Sequence, residues 1–318
     1  MKTILSGIQP SGRPHIGNYF GMMRQMIEMQ KDDLVFAVIV DYHALNSVQN
    51  AEKMRQFTLD AVIDYLALGF DTEKNVLFKQ SDIAEHAELC WIFNTITTVP
   101  YLKRGHAYKD AVAKKGEETV SVGMFDYPML MAADILLYSP DIIPVGEDQR
   151  QHVEFARDTA EKFNRIFGKK DNQIFKLPKE YIILDIGTVP GIDGRKMSKS
   201  YDNYISLFAD NKEIEEKIMA IVTDSDKEIP ENVLAIHSLL RSKGELDEIY
   251  KKDKGNYKAL KEALIEDLKW FVKPLREKRE KIASDLNFVK KVLEEGKEKA
   301  GKVAKAKMLE IKKAIGVI

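Results

Sequence analysis

The chain has 318 residues, of which 44% are hydrophobic and 31% charged, the composition of a folded globular protein rather than a disordered one. Its single cysteine, Cys90, excludes a disulfide within the chain and any iron–sulfur or zinc centre built from cysteines alone. The six histidines are scattered without the close pairing of a zinc-binding helix, so we expect no zinc. No stretch resembles a signal peptide or is apolar enough to span a bilayer, which predicts a cytoplasmic protein without membrane contact.

The net charge of −1 hides an asymmetry along the chain. Residues 241–318 contain 22 Lys and Arg against 14 Asp and Glu, whereas the preceding 240 residues contain 27 against 36. A lysine-rich helical surface is usually only a solvated face. A polyanion such as RNA would nevertheless be attracted to this C-terminal part.

The first third of the chain alternates between strand and helix patterns. Residues 3–6 predict a short strand, a turn rich in Gly and Pro follows, and 17–30 predict a helix. The unbroken apolar run at 34–40 predicts a buried strand. A further helix and a strand at 76–78 complete the pattern of a Rossmann-like, doubly wound parallel α/β sheet. In such a sheet ligands bind beyond the carboxyl ends of the strands, where residues 41–43 would lie.

The remaining patterns are mostly helical. Residues 84–138 predict helices interrupted by a polar surface loop at 109–118, and 142–146 predict a strand followed by a helix from Glu147 to about Phe167. After a loop at 191–200, helical patterns occupy 211–221, 233–240, 258–287 and 288–315. The sequence therefore predicts a nucleotide-binding domain at 1–207, with a helical insertion at about 84–140, and an α-helical domain at 208–318.

The turn before the first helix has the properties of a phosphate site. The unpaired backbone N–H groups at a helix start attract anions. Gly17 has no side chain, so a nucleotide can approach the backbone, and His15 and Asn18 can donate hydrogen bonds. The turn is neither a P-loop nor a dinucleotide fingerprint, since neither glycine pattern occurs.

Asp134 stands alone among apolar residues in the stretch 127–138. A carboxylate buried without a partner is strongly destabilising, so Asp134 requires a dedicated partner. The residues leave two interpretations open at this point. Asp134 is either part of a structural cap or ion pair, or a hydrogen-bond acceptor at the bottom of a specificity pocket.

Two further segments carry polar groups suited to a nucleotide. Gly146 at the end of a strand, followed by Glu147, Asp148 and Gln149, suits a ribose and an ammonium group, although acidic residues also favour any first helical turn. In the loop at 191–201, Lys196 and Lys199 follow two glycines and can place two ammonium groups on a leaving polyphosphate. Alone, such a loop would be only a solvated basic turn.

Residues 10–19 and 196–200 together resemble the paired motifs of class I aminoacyl-tRNA synthetases, with Asn18 in place of the second histidine of the first motif. With residues 6–12, 130–136 and 144–149 added, nearly the whole chain resembles the bacterial-type tryptophanyl-tRNA synthetases. Some members of that family carry a cysteine cluster for an iron–sulfur centre, which this chain lacks.

The resemblance implies a role for each matching residue. Catalytic roles fall to His15, Asn18, Lys196 and Lys199. ATP would be bound by Gln9, Pro10, Ser11, Gly17, Asn18, Gly146, Glu147, Asp148, Val189, Lys196, Met197, Ser198, Lys199 and Ser200. Tryptophan would be bound by Asp134 through the indole N–H, by Met131 against the ring, by Tyr127 and Gln149 at the ammonium, and by the nearby His43.

The resemblance also implies the reaction and its partners. L-Tryptophan and ATP, with Mg2+, would form tryptophanyl-adenylate and pyrophosphate, and the acyl group would then move to the 3′ end of tRNA(Trp). A homodimer is implied as well. Three alternatives remain at this stage: a tyrosyl-tRNA synthetase, a non-catalytic paralogue that only binds tRNA or tryptophan, and another nucleotidyltransferase with the same phosphate motifs.

Overall fold

A parallel β-sheet lies at the centre of the computed structural model, which describes residues 1–169, 173–182, 188–223 and 227–318, the side chains of Lys115 and Asp148 excepted. Its strands are β1 (Thr3–Ile8), β2 (Leu34–Ile39), β3 (Val76–Lys79), β4 (Ile143–Val145) and β5 (Glu180–Ile182). Parallel pairs join β1 to β2, β2 to β3 and β4 to β5. A parallel bridge between Ile4 and Ile142 connects β4 to β1, which gives the order β3-β2-β1-β4-β5.

Helices cover both faces of the sheet and make up most of the C-terminal part. The α-helices are α1 (Ile16–Asn18), α2 (Arg24–Met29), α3 (Asp41–Ala44), α4 (Ala51–Ala67), α5 (Glu85–Ile96), α6 (Val99–Leu102), α7 (His106–Lys115), α8 (Val122–Tyr138), α9 (Arg150–Phe167), α10 (Asn211–Met219), α11 (Glu231–His237), α12 (Lys243–Lys252), α13 (Tyr257–Ala283) and α14 (Leu286–Ile315). A π-helical turn, Tyr19–Met23, joins α1 to α2, and 3-10 turns occupy Gln80–Asp82, Glu117–Thr119, Glu147–Gln149 and Lys199–Tyr201.

The predicted fold class is confirmed, as are the strands expected near 3–6, 34–40, 76–78 and 142–146. The surface loop expected at 109–118 is wrong, because α7 runs through most of it. Its residues are polar, but Ala and Lys are strong helix formers and no Gly or Pro interrupts them before Gly116. Gly116 then ends the helix with a positive φ of 84°, a conformation that favours glycine. Strand β5 was not expected, since its residues are partly or fully exposed and carry no buried pattern.

The central strand β2 is buried on both faces. Val35, Ala37 and Ile39 belong to one hydrophobic cluster, and Phe36 and Val38 belong to another on the opposite face. This alternation is the two-residue period of a strand. A strand covered on both sides reads as a continuous apolar run, which is why β2 was recognisable from sequence.

Helices of the C-terminal part complete both clusters. Leu264 and Leu268 of α13 pack in the first, and Ala300 and Ala304 of α14 pack in the second. Helix α14 crosses β3 so closely that a Cβ atom on Gly296 would lie 1.9 Å from the carbonyl oxygen of Leu77. The domain division at residue 207 remains a prediction. No helix in the described ranges is long and apolar enough to cross a membrane.

Candidate active site

His15 caps the first helix at the carboxyl end of β1. The backbone N–H of Asn18 donates to Nδ1 of His15 at 3.1 Å, and the backbone N–H of His15 donates to Oδ1 of Asn18 at 3.1 Å. Burial, with the nearby Lys199 charge, lowers the pKa of His15 to about 4. The ring is therefore neutral near pH 7. Because Nδ1 accepts a hydrogen bond, the proton lies on Nε2, which makes His15 a neutral donor rather than a cation.

Gly17 lies in this turn and packs closely against Val189, and both residues are predicted to bind ATP. A Cβ atom on Gly17 would lie 3.0 Å from Nδ1 of His15 and 3.5 Å from Cβ of Val189. Val189 is thus beside the first motif, although 172 positions separate it from Gly17 in the sequence. Gln9 and Ser11 are exposed on the same turn, while Pro10 is buried. A Cβ atom at this position would require a small shift of the His15 ring, so glycine permits the close approach that is observed.

Lys199 joins the second motif to the first. Its Nζ donates to the carbonyl oxygens of Ser11 and Gly12 at 3.0 and 3.1 Å, and to the hydroxyl of Ser11 at 3.1 Å. Burial lowers the pKa of this ammonium below its ordinary value. Lys196 and Ser200 are exposed. Lys199 therefore lies against the turn before α1, with its charge partly removed from water.

The second motif is anchored from within. Met197 is buried in the first cluster, and its N–H donates to the carbonyl oxygen of Val189 at 2.9 Å. The Ser198 hydroxyl caps the following 3-10 turn by accepting from the backbone N–H of Ser200. Lys196 and Lys199 thus extend from a loop whose backbone is held in place on both sides of Met197.

Asn203 also holds this loop, although no local pattern in the sequence singles it out. Its Oδ1 accepts from the N–H of Ser198 at 2.8 Å, and its Nδ2 donates to Asp193 Oδ1 at 2.7 Å and to the Lys196 carbonyl at 3.1 Å. A Cβ atom on Gly191 would lie 2.4 Å from the Asn203 amide. Asn is common in ordinary loops, so only the folded structure shows that the Asn203 side chain connects three parts of this loop.

Asp134 of α8 is buried at the centre of a hydrogen-bond network. Its Oδ1 accepts from Nε2 of Gln80 at 2.7 Å and from Nδ1 of His86 at 2.6 Å, and its Oδ2 accepts from Nε2 of His43 at 2.9 Å. Burial alone would raise the pKa of Asp134. The bonds from His43 and His86 overcome that effect and hold the pKa well below its ordinary value.

The number of acceptor positions on Asp134 decides what else it can bind. A carboxylate offers about four lone-pair positions, of which Oδ1 uses two and Oδ2 one for donors of the described residues. Oδ2 therefore retains capacity for one further donor. Both interpretations of Asp134 are compatible with this arrangement, because the network satisfies the buried charge and still leaves an acceptor. Gln80 and His86 were not among the predicted site residues.

Of the other residues predicted to bind tryptophan, Tyr127 lies against His43 of this network. The Tyr127 hydroxyl is 2.5 Å from Nε2 of His152, and its ring lies edge-on to His43 with 6.1 Å between centroids. Burial raises the pKa of Tyr127 to about 12, so its hydroxyl stays protonated near neutral pH. Met131 packs, partly buried, against the second cluster. Gln149 ends the 3-10 turn after β4 and is partly buried.

The turn after β4 places the remaining predicted residues. Gly146 is the N-cap of this turn, and the Asp148 side chain is outside the described part of the structure. Glu147 is exposed and pairs with Arg150 at 2.8 Å. An exposed pair of this kind contributes little to stability, so the Glu147 carboxylate can exchange partners readily.

Comparison with known proteins places these features in context. The family described as "tRNA synthetases class I (W and Y)" matches residues 1–285. The tryptophan–tRNA ligase of Fusobacterium nucleatum is 44% identical over 328 residues, covering 100% of this chain and 99% of the relative. That of Rhodopirellula baltica is 44% identical and covers 95% of each chain. The structure of Campylobacter jejuni tryptophanyl-tRNA synthetase, complexed with ADP and tryptophan, is similar with a TM-score of 0.91 at 41% identity, covering 99% of both chains.

Proposed function

The chain belongs to the family of class I tRNA synthetases for tryptophan and tyrosine, and we propose that it is a tryptophan–tRNA ligase. It activates L-tryptophan with ATP to tryptophanyl-adenylate, releases pyrophosphate and transfers tryptophan to the 3′ end of tRNA(Trp). Full-length relatives named tryptophan–tRNA ligase, at 44% identity, support this over a tyrosine enzyme. The observation that carries the amino-acid assignment is the remaining acceptor position on the buried Asp134.

Specificity for tryptophan follows from that acceptor. The indole N–H donates to Oδ2 of Asp134, Met131 packs against the ring, and Tyr127 and Gln149 hold the substrate ammonium near His43. Phenylalanine would leave the acceptor without a donor, and a site built to bond a polar group rejects an analogue that lacks it. Tyrosine carries a donor too, so pocket shape excludes it.

Adenylate formation needs no protein nucleophile, because the substrate carboxylate attacks the α-phosphate of ATP. The protein positions the two reactants and stabilises the charge on the leaving pyrophosphate. The neutral His15 donates from Nε2, Asn18 and the backbone beside Gly17 bind the phosphates, and Lys196 and Lys199 neutralise pyrophosphate. The remaining residues predicted at ATP contact the adenosine or shape the two loops: Gln9, Pro10, Ser11, Gly146, Glu147, Asp148, Val189, Met197, Ser198 and Ser200.

Magnesium enters with ATP in this proposal. Across the described residues, no group of three or more His, Cys, Asp or Glu side chains could hold a metal ion. Mg2+ commonly takes nucleotide phosphates and water as most of its ligands, so it needs no dedicated protein cage. Bound there, it supplies charge neutralisation to the polyphosphate. Zinc and an iron–sulfur cluster remain outside the proposal.

The partners are tRNA(Trp) and a second copy of the chain, in the cytoplasm. The helical part at 208–318 would recognise the anticodon, and the excess of basic residues at 241–318 favours a polyanion. Trp91, Val99 and Val122 are 71%, 57% and 79% exposed on α5, α6 and α8. Helices α5 and α6 both pack against α8, and these exposed apolar side chains would be covered by the second copy of the chain.

Exchange of labelled pyrophosphate into ATP tests the function directly. We expect exchange with tryptophan and none with tyrosine or without amino acid. Exchange with tyrosine would retain the mechanism and overturn the role of Asp134. No exchange with either would favour a paralogue that only binds tRNA or tryptophan, and charging of tRNA(Trp) with labelled tryptophan tests the second step.

A further inference from the structure

We propose that Gln80 and His86 are positioning residues for tryptophan selection: they occupy Oδ1 of Asp134 with two donors and leave Oδ2 for the indole N–H. The inference rests on the proposed function. Neither residue needs to touch the substrate, since both would act through Asp134.

The orientation of Gln80 is determined by a backbone group. Its side chain is 0% exposed and lies in the 3-10 turn that follows β3. The backbone N–H of Tyr42 donates to Oε1 of Gln80 at 3.1 Å, so the amide must direct Nε2 to Asp134, to which it donates at 2.7 Å. Tyr42 precedes His43, the donor to the other oxygen. Gln80 thus holds the end of β2 and the carboxylate of α8 in one arrangement.

His86 is held from its opposite side by Tyr138. The ring is 0% exposed, with Nδ1 2.6 Å from Oδ1 of Asp134 and Nε2 2.9 Å from the Tyr138 hydroxyl. Burial and the Asp134 charge raise the pKa of Tyr138 far above its ordinary value, so the hydroxyl keeps its proton. It can donate to Nε2, which leaves Nδ1–H to donate to Asp134. Every polar atom of this chain of bonds then has a partner.

The two donors restrict the carboxylate to one orientation. With Oδ1 filled and Oδ2 contacted by His43 alone among the described residues, the remaining acceptor position has a defined direction. An indole N–H is a single donor on a rigid ring and requires an acceptor in a fixed place. Loss of either donor would let the carboxylate rotate or become protonated, which weakens recognition of tryptophan without altering the ATP turn.

The test compares Gln80→Met and His86→Leu with His86→Asn, whose amide nitrogen can replace Nδ1 as donor. In pyrophosphate exchange, the first two should raise the KM for tryptophan roughly tenfold and reduce selectivity over phenylalanine, with the KM for ATP within about twofold. His86→Asn should recover most of the tryptophan KM. His237→Leu is the matched control, because His237 is 0% exposed and lies 2.7 Å from the Asp267 carboxylate in the helical part.

The outcomes separate the inference from a general loss of stability. His237→Leu should lower the Tm with no change in the ratio of the two KM values. Equal increases in both KM values, or His86→Asn behaving as His86→Leu, would overturn the positioning role. If His86→Leu does not fold, Gln80→Met and His86→Asn still decide the point. Failure of the unmodified protein to exchange with tryptophan would overturn the proposed function itself and this inference with it.

Discussion

Lys199 and Ser11, 188 positions apart in the sequence, are joined by two hydrogen bonds, from the ammonium to the serine carbonyl at 3.0 Å and to its hydroxyl at 3.1 Å. Both acceptors are neutral. A phosphate oxygen carries charge and forms a stronger bond with an ammonium than a neutral oxygen does. A phosphate oxygen bound at the turn before α1 would therefore compete successfully with Ser11 for the Lys199 ammonium.

Replacing Lys199 with glutamine should slow adenylate formation. Removal of one donor that stabilises a developing anion typically lowers kcat by about 100-fold to 1,000-fold. Single-turnover formation of the adenylate measures the effect, and the KM for tryptophan should change little. Lys212→Gln is the matched control, because Lys212 is an exposed lysine with only a surface partner, Glu216 at 3.7 Å. A rate close to that of the unmodified protein would remove Lys199 from the mechanism.

Replacing Asp134 with alanine should damage tryptophan use far more than ATP binding. Loss of a buried hydrogen-bond partner typically costs about 1–3 kcal/mol, so the KM for tryptophan should rise by roughly 5-fold to 150-fold. Steady-state pyrophosphate exchange at varied tryptophan and varied ATP separates the two. Asp267→Ala removes another carboxylate that accepts from a histidine and an arginine, and should affect stability alone. Equal loss of both substrates in Asp134→Ala would mean that Asp134 is structural.

The low pKa of His15 predicts a loss of stability in mild acid. Folding lowers this pKa from an ordinary 6.5 to about 4, so below pH 6.5 the unfolded chain takes up a proton that the folded chain does not. Stability should therefore fall by about 2 kcal/mol between pH 7 and pH 5 through this residue. His15→Asn, which can still cap the helix, should lack that component of the fall.

Chemical denaturation at both pH values measures this difference. His106→Asn, at an exposed histidine, should show the same pH dependence as the unmodified protein. If His15→Asn also behaves as the unmodified protein, then His15 is not held neutral by folding, and its role as a neutral donor fails.

Arg279 of α13 binds two buried carboxylates of α4, with 2.6 Å from Nε to Asp64 and 2.5 Å from Nη2 to Asp60. Breaking a buried ion pair typically costs about 3–5 kcal/mol, so Arg279→Met should be strongly destabilising. Burial already raises the pKa of Asp64 to about 6 against the opposing effect of Arg279. Without the arginine the pKa of Asp64 rises further, and protonation of Asp64 removes the unpaired buried charge. The loss of stability in Arg279→Met should therefore be larger at pH 8 than at pH 5.5.

Denaturation of Arg279→Met at the two pH values tests this prediction. Arg276→Met provides the comparison, since Arg276 lies on the same helix but donates to the carbonyl oxygen of Ala209. Its loss should be smaller and should not depend on pH in this range. If the loss of stability in Arg279→Met is the same at both pH values, then the protonation of Asp64 does not depend on Arg279.

Local patterns in the sequence were enough for strands β1 to β4 and for the two motif loops, but not for β5. The apolar run of β2, the glycine and proline turn before α1 and the repeat of apolar positions in α14 each reflect a preference of adjacent residues. The motifs at 10–19 and 196–200 likewise identify themselves by residue type and spacing. These features depend on neighbours along the chain, so sequence alone determined the fold class and the family.

Contacts between distant segments were decided only by the tertiary structure. Gln80 and His86 contact Asp134 from 54 and 48 positions away in the sequence. The residues next to a glutamine after a strand, or next to a histidine in a helix, do not indicate such a distant partner. Asn203 resembles any loop asparagine until Gly191 packs against it. Side-chain hydrogen bonds of this kind depend on where the strands and helices meet, and that arrangement follows from burial of the whole core rather than from any one segment.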